Sequence, residues 1–477
     1  MSTESTSSIS TVPKRLSRED EAKLALEYTQ VTPGTAWALM IAFLLTIVAV
    51  PVAQHVVEIR ANLQARREER AATGEPPAGR ILPQSWDVFP LLWPSRGEAL
   101  PTVEEISEYE TALEEGSIVS SWILPRAQTV LSRIGAGNEQ VYPGRGGWLH
   151  YRPDVDYVTS RGFLDATLLV QRQRAGDESV AEVQPDPVRP LVRFKDQLAQ
   201  RGILLVVVPT PVKPMLHPET LAAHYDAAGG VPTAPLQNPS WAAFVRTMER
   251  ESVLVFDPTP VLTGAWRRTG QPQYLRTDTH WTPDAMERVA GALADFLRAR
   301  VPELPLPQQH GDAPAAAAYT RRARDIENNG DIADMLKLPP RTLREVAGPP
   351  QRVRIHPVRT SGGGQRWRPD RRADVLLLGD SFSNIYSLGG MGWGEGAGFA
   401  EQLSFALQRP LDRIVINAGG SYTTRQRLRA ELLQGKDRLA GKRVVIYQFA
   451  MRDLLIGDWK QLDLPPPPRL SKGTGTP

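Results

Sequence analysis

Gly202-Ile203-Leu204-Leu205-Val206-Val207-Val208-Pro209 decides how the rest of the chain is read. Between a glycine and a proline the residues are all apolar and mostly β-branched, with no polar face. A run that short and uniform reads as a strand buried on both sides, the usual situation in a parallel sheet. Working outward, Val253–Phe256, Val375–Leu378, Ile414–Ile416 and Val444–Tyr447 repeat the pattern. Around them lie stretches of helical character: Leu191–Arg201, Pro239–Arg250, Pro283–Arg300, Phe399–Gln408 and Thr424–Leu433. This alternation predicts an α/β fold, a parallel sheet flanked by helices, with chemistry on the loops after the strands.

Two loops carry candidate chemistry. In Thr277-Asp278-Thr279-His280-Trp281-Thr282-Pro283, an extended backbone would turn Asp278 and His280 to one side. The carboxylate then reaches one ring nitrogen and leaves the other free as a base. Thr279 and Trp281 face the other way, with Trp281 anchoring that side in the core. Thr282 suits a helix N-cap, Pro283 the first turn and Asp284 the positive helix end. Further along, Gly379-Asp380-Ser381-Phe382-Ser383 follows a buried strand, with Gly379 permitting a sharp turn and Asn384 opening a helix. Ser381 is the candidate nucleophile and Ser383 the second choice; a helix N-cap is the alternative role for Ser381. Ser381, His280 and Asp278 together would form a device for acyl transfer.

Composition narrows the alternatives. The chain has 477 residues, 41% hydrophobic and 23% charged, which suits a globular protein with a sizeable core. Its net charge is only +3 with both signs interspersed, which argues against a nucleic-acid partner. The absence of cysteine excludes disulfides, cysteine-ligated zinc and thiol nucleophiles. No second histidine or carboxylate cluster stands close to Asp278 and His280 in the sequence, so no metal is expected there. Glycines at 389, 390, 392, 394, 396 and 398 suggest a mobile loop beside the nucleophile. Their spacing does not match G-x-G-x-x-G, and neither a dinucleotide site nor another cofactor is expected.

Along the chain, residues 1–35 are polar and read as a flexible tail. Ala36 to Ala53 is free of charge and just long enough to span a bilayer as a helix, so residues 36–54 are read as a single membrane anchor. A cleaved signal peptide fits poorly, because the run lies far from the start and Pro51 spoils the small-residue pattern. Arg60, Arg66, Arg67 and Arg70 beyond it, against Arg18 and Lys23 before it, favour a cytoplasmic C-terminal side, a rule that weakens when a long domain follows. Residues 55–140 read as a stem, with a break at Gly74–Gly79 and helix from Thr111 to Ile134 interrupted at Pro125. The main domain covers 141–463 and opens on a hairpin corner with Trp148 buried. It is interrupted by a Pro- and Ala-rich insertion at 301–319 and a basic β excursion, Arg341–Arg372, at the mouth of the site. Residues 464–477 form a Pro-rich tail expected to be disordered.

Six elements occur in order: Gly144-Arg145-Gly146-Gly147-Trp148-Leu149-His150-Tyr151, Val208-Pro209-Thr210-Pro211-Val212-Lys213, Asp278-Thr279-His280-Trp281, Gly330-Asp331-Ile332-Ala333-Asp334-Met335-Leu336, Gly379-Asp380-Ser381, and Gln448-Phe449-Ala450-Met451-Arg452-Asp453-Leu454. Together they resemble the alginate O-acetyltransferases of the AlgJ and AlgX type, which carry an SGNH-hydrolase-like domain. The likeness covers roughly residues 141 to 458, and the single N-terminal span also resembles AlgJ. Ordinary SGNH esterases place the serine turn before the histidine pair; here the pair comes first.

The resemblance implies a single-pass protein of the inner membrane with its catalytic domain in the periplasm. It implies an acetyl group delivered by a membrane-bound O-acyltransferase partner and passed to hydroxyls of an exopolysaccharide. Ser381 matches the nucleophile, His280 the base and Asp278 the orienting acid. Gln448 departs from the glutamate expected before a similar arginine, which implies a changed partner for Arg452 and a different polymer. Backbone N–H groups at Ser381 and beyond would hold the oxyanion, with Asn417 as a side-chain donor or else a turn residue. Lys213, Tyr386, Tyr422 and Arg452 are polymer-facing candidates, although residues of these types are more often surface or packing residues. A polysaccharide acetylesterase would use the same residues, and an anchored, non-catalytic polysaccharide-binding scaffold is the third class.

Overall fold

The computed structural model of the protein describes residues 32–73, 82, 117–175, 183–225, 234–301 and 317–466. The chain divides into two compact units, residues 1–123 and 124–477. In the first, Pro33–Thr73 forms one helix that contains the expected anchor. Trp37, Leu39, Phe43 and Leu45 are exposed on it, and some of its other side chains fall outside those described. Among the described residues, no helix is long and apolar enough to cross a membrane. The tail at 1–31, the glycine break at 74–79, most of the insertion at 302–316 and the tail from 467 lie outside the described residues. The helix Ile118–Arg133 continues through Pro125, where the sequence predicts a break. One missing N–H removes a single bond of the ladder, and buried Gln128 ties the next turn to the Gly137 carbonyl at 3.3 Å.

The second unit begins with an antiparallel pair, β1 (Val141–Pro143) and β2 (Leu149–Tyr151). Trp148 between them is only half-buried, its ring 5.2 Å from that of His217. Next come β3 (Leu204–Thr210) and the short β4 (Leu254–Val255). Two antiparallel pairs follow, β5 (Tyr319–Arg321) with β8 (Val358–Thr360) and β6 (Arg324–Asn328) with β7 (Gln351–Ile355). The basic excursion expected at Arg341–Arg372 therefore supplies only β7 and β8, begins with the helix Pro340–Ala347, and pairs with strands that precede it. The chain returns to the core in β9 (Val375–Gly379), β10 (Asp412–Val415) and β11 (Val444–Ala450).

β3, β4, β9, β10 and β11 make one five-stranded parallel sheet in the order β10-β9-β11-β3-β4. β11 lies between β9 and β3 and is buried along its whole length. Its register sets Val445 opposite Leu205 and Leu376, and Gln448 opposite Val208. Alternate residues feed two separate cores, as the two-residue period of a strand requires. On one face Val206, Val208, Leu377, Val444 and Ile446 pack with Met286, Val289, Leu293 and Leu297 of the helix Pro283–Arg300 and with Phe399 and Leu403 of Phe399–Leu407. On the other, Leu205, Val207, Leu376, Leu378 and Val445 pack with Phe194 and Leu198, Phe244 and Met248, and Leu428 from three further helices. Each fully buried Val, Leu or Phe contributes about 1.5–3 kcal/mol relative to exposure, so both faces hold the sheet firmly. The result is an α/β fold, a parallel sheet flanked by helices, whose serine turn leaves the C-terminal end of β9.

Candidate active site

The loop before the helix Pro283–Arg300 is not the extended segment that the sequence predicts. Tyr274 and Trp281 form an isolated antiparallel bridge, and the Leu275 N–H donates to the His280 carbonyl at 3.0 Å, so residues 275–280 close a compact loop. Within it Asp278 makes an Asx turn: its Oδ1 accepts from the His280 N–H at 3.0 Å and faces His280 Nδ1 at 2.7 Å. The pair is aligned by that turn rather than by strand alternation. Thr282 caps the following helix through the Ala285 N–H, as its position suggests.

Ser381 is the first residue of a four-residue helix, Ser381–Asn384, and Asp380 is its N-cap, accepting from the Phe382 N–H at 2.9 Å. Gly379 is needed for proximity rather than for an unusual backbone. A Cβ there would lie 2.5 Å from Ser383 Oγ and 3.1 Å from Gln448 Oε1. The two motifs are joined through their neighbours: the Trp281 indole donates to the Phe382 carbonyl at 3.2 Å, the rings of Trp281 and Phe382 meet edge to face at 5.5 Å, and the Tyr386 hydroxyl donates to the Trp281 carbonyl at 2.6 Å. This clamp brings His280 Nε2 to 2.8 Å from Ser381 Oγ. Asp278 and His280 are almost wholly buried, whereas Ser381 is half-buried at the opening.

Two residues beyond the expected set complete the surroundings of Asp278. Its Oδ2 accepts from the Trp393 indole at 2.8 Å and from the Asp331 N–H at 3.0 Å. Asp331 in turn accepts from Thr279 twice, from its N–H at 2.7 Å and its hydroxyl at 2.6 Å, and its Oδ2 lies 3.7 Å from His280 Nδ1. Gly330 allows this approach: it lies at φ +94°, and a Cβ there would sit 2.6 Å from the Thr277 carbonyl oxygen. Trp393 shows that the glycine-rich loop is pinned at its centre, its indole wholly buried against the carboxylate it serves.

Burial works against the charged form of Asp278, but the bond to His280 and its charge, the Asp331 N–H and Trp393 outweigh it, and the carboxyl is held below the usual range. Burial likewise disfavours protonated His280, yet the Asp278 bond and charge, aided by Asp331, raise it above the ordinary histidine value. Asp331 is pushed up to about 6 by burial and by the neighbouring Asp278 charge. Asp278, His280 and Asp331 bring ligand-type atoms within 4.8 Å of one another, so a second carboxylate does stand by the pair. Each is already engaged in the bonds described above.

The other candidates are dispersed. Lys213 and Tyr386 do not face a ligand: both are fully buried, Lys213 Nζ donating to the carbonyls of Leu149 at 2.7 Å and Arg276 at 3.2 Å, and Tyr386 to Trp281. Burial lowers Lys213 to about 8. Asn417 is exposed just beyond β10, where its side-chain oxygen accepts from the Asn384 amide at 2.8 Å. Tyr422 is half-buried under Lys460, whose Nζ lies 4.8 Å from its ring centre. Arg452 stands 5.6 Å over the Phe382 ring and pairs with buried Asp154 at 2.9 Å, so its partner is not residue 448.

Gln448 organises the serine turn instead. Its Oε1 accepts from Ser383 Oγ at 2.6 Å and the Asp380 N–H at 3.1 Å, while its Nε2 donates to Asp380 Oδ1 at 2.8 Å and Thr210 Oγ1 at 3.1 Å. Ser383 is therefore a buried structural hydroxyl rather than a second nucleophile. Of the backbone donors expected for an oxyanion, Phe382 and Ser383 N–H are spent on Asp380, which leaves the Ser381 N–H.

Over 192 residues the chain is 28% identical to the "probable alginate O-acetylase AlgJ" of Pseudomonas fluorescens, a match covering 40% of this chain and 44% of that protein. The same-named protein of Azotobacter vinelandii is 27% identical over 193 residues, covering 40% and 45%. The chain thus spans less than half the length of the curated relatives it matches. Among solved structures, the O-acetyltransferase domain of Pseudomonas putida AlgJ superposes with a TM-score of 0.46 at 20% identity, covering 66% of this chain and 91% of that one. Pseudomonas aeruginosa AlgX gives 0.42 at 18%, covering 66% of each. Residues 141–451 match the family described as "SGNH hydrolase-like domain, acetyltransferase AlgX", and the chain belongs to that family.

Proposed function

We propose that the protein is a membrane-anchored O-acetyltransferase that passes acetyl groups through Ser381 to hydroxyls of an exopolysaccharide, alginate or a related polymer. The observation that carries this reading is the unbroken chain of contacts from Asp278 through His280 to Ser381 Oγ. His280 Nε2 takes the Ser381 proton as Oγ bonds to the acetyl carbon of the donor, and returns that proton to the leaving group. In the second half, His280 takes the proton of a sugar hydroxyl as its oxygen attacks the acetyl-serine; the ester forms, and the proton goes back to Ser381. The Ser381 N–H and the Asn417 amide are the donors we assign to the oxyanion. Asp278 fixes the tautomer of His280, and Asp331 and Trp393 fix Asp278.

A membrane-bound O-acyltransferase is the acetyl source we assign, with residues 36–54 as the anchor in the inner membrane and the catalytic domain in the periplasm. The charge-free run in that helix and its exposed Trp37, Phe43 and Leu45 support the anchor. The test is an assay with an activated acetyl ester and uronate oligosaccharides, followed by mass spectrometry. Ser381→Ala should abolish oligosaccharide acetylation, by on the order of 10³-fold or more, while Ser383→Ala retains the chemistry. Release of acetate without acetylated sugar would make the protein an esterase.

A further inference from the structure

Apart from the triad, a cavity of about 610 Å³ opens on the basic excursion, lined by β5, β8 and the loop that carries Trp393. Arg322, Arg324, Arg359 and Arg366 line it against a single carboxylate, Glu395. Arg366 pairs with Glu395 at 2.6 Å, and Arg359 donates to the Gly364 carbonyl at 2.7 Å. Among the described residues, no carboxylate pairs with Arg322, Arg324 or Arg359. The charge is local: residues 317–330 and 351–372 hold ten arginines and three acidic residues, in a chain whose net charge is only +3. Arg352 and Arg354 share the single carboxylate of Asp325 on the β6–β7 pair, while Arg322, Arg324, Arg359 and Arg366 line the cavity with Glu395 alone.

We propose that this groove is an accessory binding site for a carboxylate-bearing stretch of the acceptor polysaccharide, separate from the triad. The assignment of the ligand as acceptor rests on the acetyl-transfer reading; the binding itself does not. Glu395 already shows how a carboxylate sits against Arg366, and guanidinium forks match carboxylates in two-point geometry. No aromatic side chain lines the cavity, which disfavours stacked bases and hence nucleic acid. Thr320, Thr360 and Ser361 offer hydroxyls to sugar hydroxyls along the same wall. The groove also touches the supports of the triad. The Val358 N–H donates to the Gly396 carbonyl at 2.8 Å, and Glu395 and Gly396 follow shortly after Trp393, which holds Asp278.

The test is calorimetric titration of the full-length protein with an oligogalacturonate, a neutral maltooligosaccharide and tripolyphosphate. The oligogalacturonate should bind with an affinity that falls as salt rises, and the neutral sugar should not. The double variant Arg322→Glu/Arg324→Glu should weaken uronate binding by at least about tenfold without lowering the melting temperature. Glu395→Gln, which frees Arg366, should tighten it. Ser381→Ala should bind uronate as the unaltered protein does, even though acetyl transfer is lost, which separates a failure of this site from a failure of the catalytic reading. Equal binding by the arginine double variant, equal binding of the neutral sugar, or tighter arginine-dependent binding of tripolyphosphate would each overturn the proposal.

Discussion

At the scale of single residues, the site turns on how many groups hold one carboxylate. Asp278 accepts four hydrogen bonds, two from His280, one from Trp393 and one from the Asp331 N–H. Those bonds keep it charged in a buried place where a carboxyl would otherwise hold its proton. Asp331 adds negative charge beside the imidazole and helps to raise His280. Above about pH 6 Asp331 is itself charged, so replacing it with asparagine removes a charge that favours imidazolium. Asp331→Asn should therefore move the acid limb of the kcat/KM profile to lower pH, because His280 then loses its proton more readily. It should also lower kcat, since asparagine cannot accept both Thr279 bonds with a charged group. An unshifted limb would mean that Asp331 only packs the loop.

At the scale of elements, the serine turn is an assembly of β9, β11 and the helix that starts at Ser381, joined by Gln448. An amide suits this place, because Gln448 accepts from the Ser383 hydroxyl and the Asp380 N–H and donates to Asp380 Oδ1 and Thr210 Oγ1. A glutamate would set a second carboxylate against Asp380, and its folded-state pKa would rise above the unfolded value. Gln448→Glu should therefore cost little at low pH, where the acid can still donate, and lose stability as pH rises; thermal melting at acidic and alkaline pH reads this, and a pH-independent loss would contradict it. Strands and helices were legible because burial on both faces writes itself as unbroken apolar runs: the helix Pro283–Arg300 keeps the limits its pattern gives. The contacts from Asp278 through His280 to Ser381 were legible because the three residues lie within two short motifs. Asp331 and Gln448 stand within two of the six sequence elements, but their roles were not legible there. Trp393 and Asp154 reach the site from segments outside those elements, and nothing in their local sequence tells which indole or carboxylate the fold will bring there. For Lys213 and Tyr386 the structure selects the packing role that the sequence leaves open beside a polymer-facing one, because their partners, the carbonyls of Leu149, Arg276 and Trp281, are brought to them only by the fold.

At the scale of the whole molecule, an α/β unit to which we assign the acetyl transfer follows a long helix whose apolar run we assign to a bilayer. Expressed in full, the protein should sediment with membranes and resist extraction by high salt, and removal of residues 1–54 should release it with its activity toward a soluble acetyl ester intact. Recovery of the full chain in the soluble fraction would remove the anchor from the account. The central claim is narrower and concerns one bond, the ester between acetyl and Ser381 Oγ. Incubation with an activated acetyl donor, rapid acid quench and peptide mass spectrometry measure it directly. The account predicts an acetyl group on Ser381 that disappears when an acceptor oligosaccharide is added and never forms in His280→Ala. Acetylated product formed at an undiminished rate by Ser381→Ala, with no acetyl-serine in the unaltered protein, would contradict it.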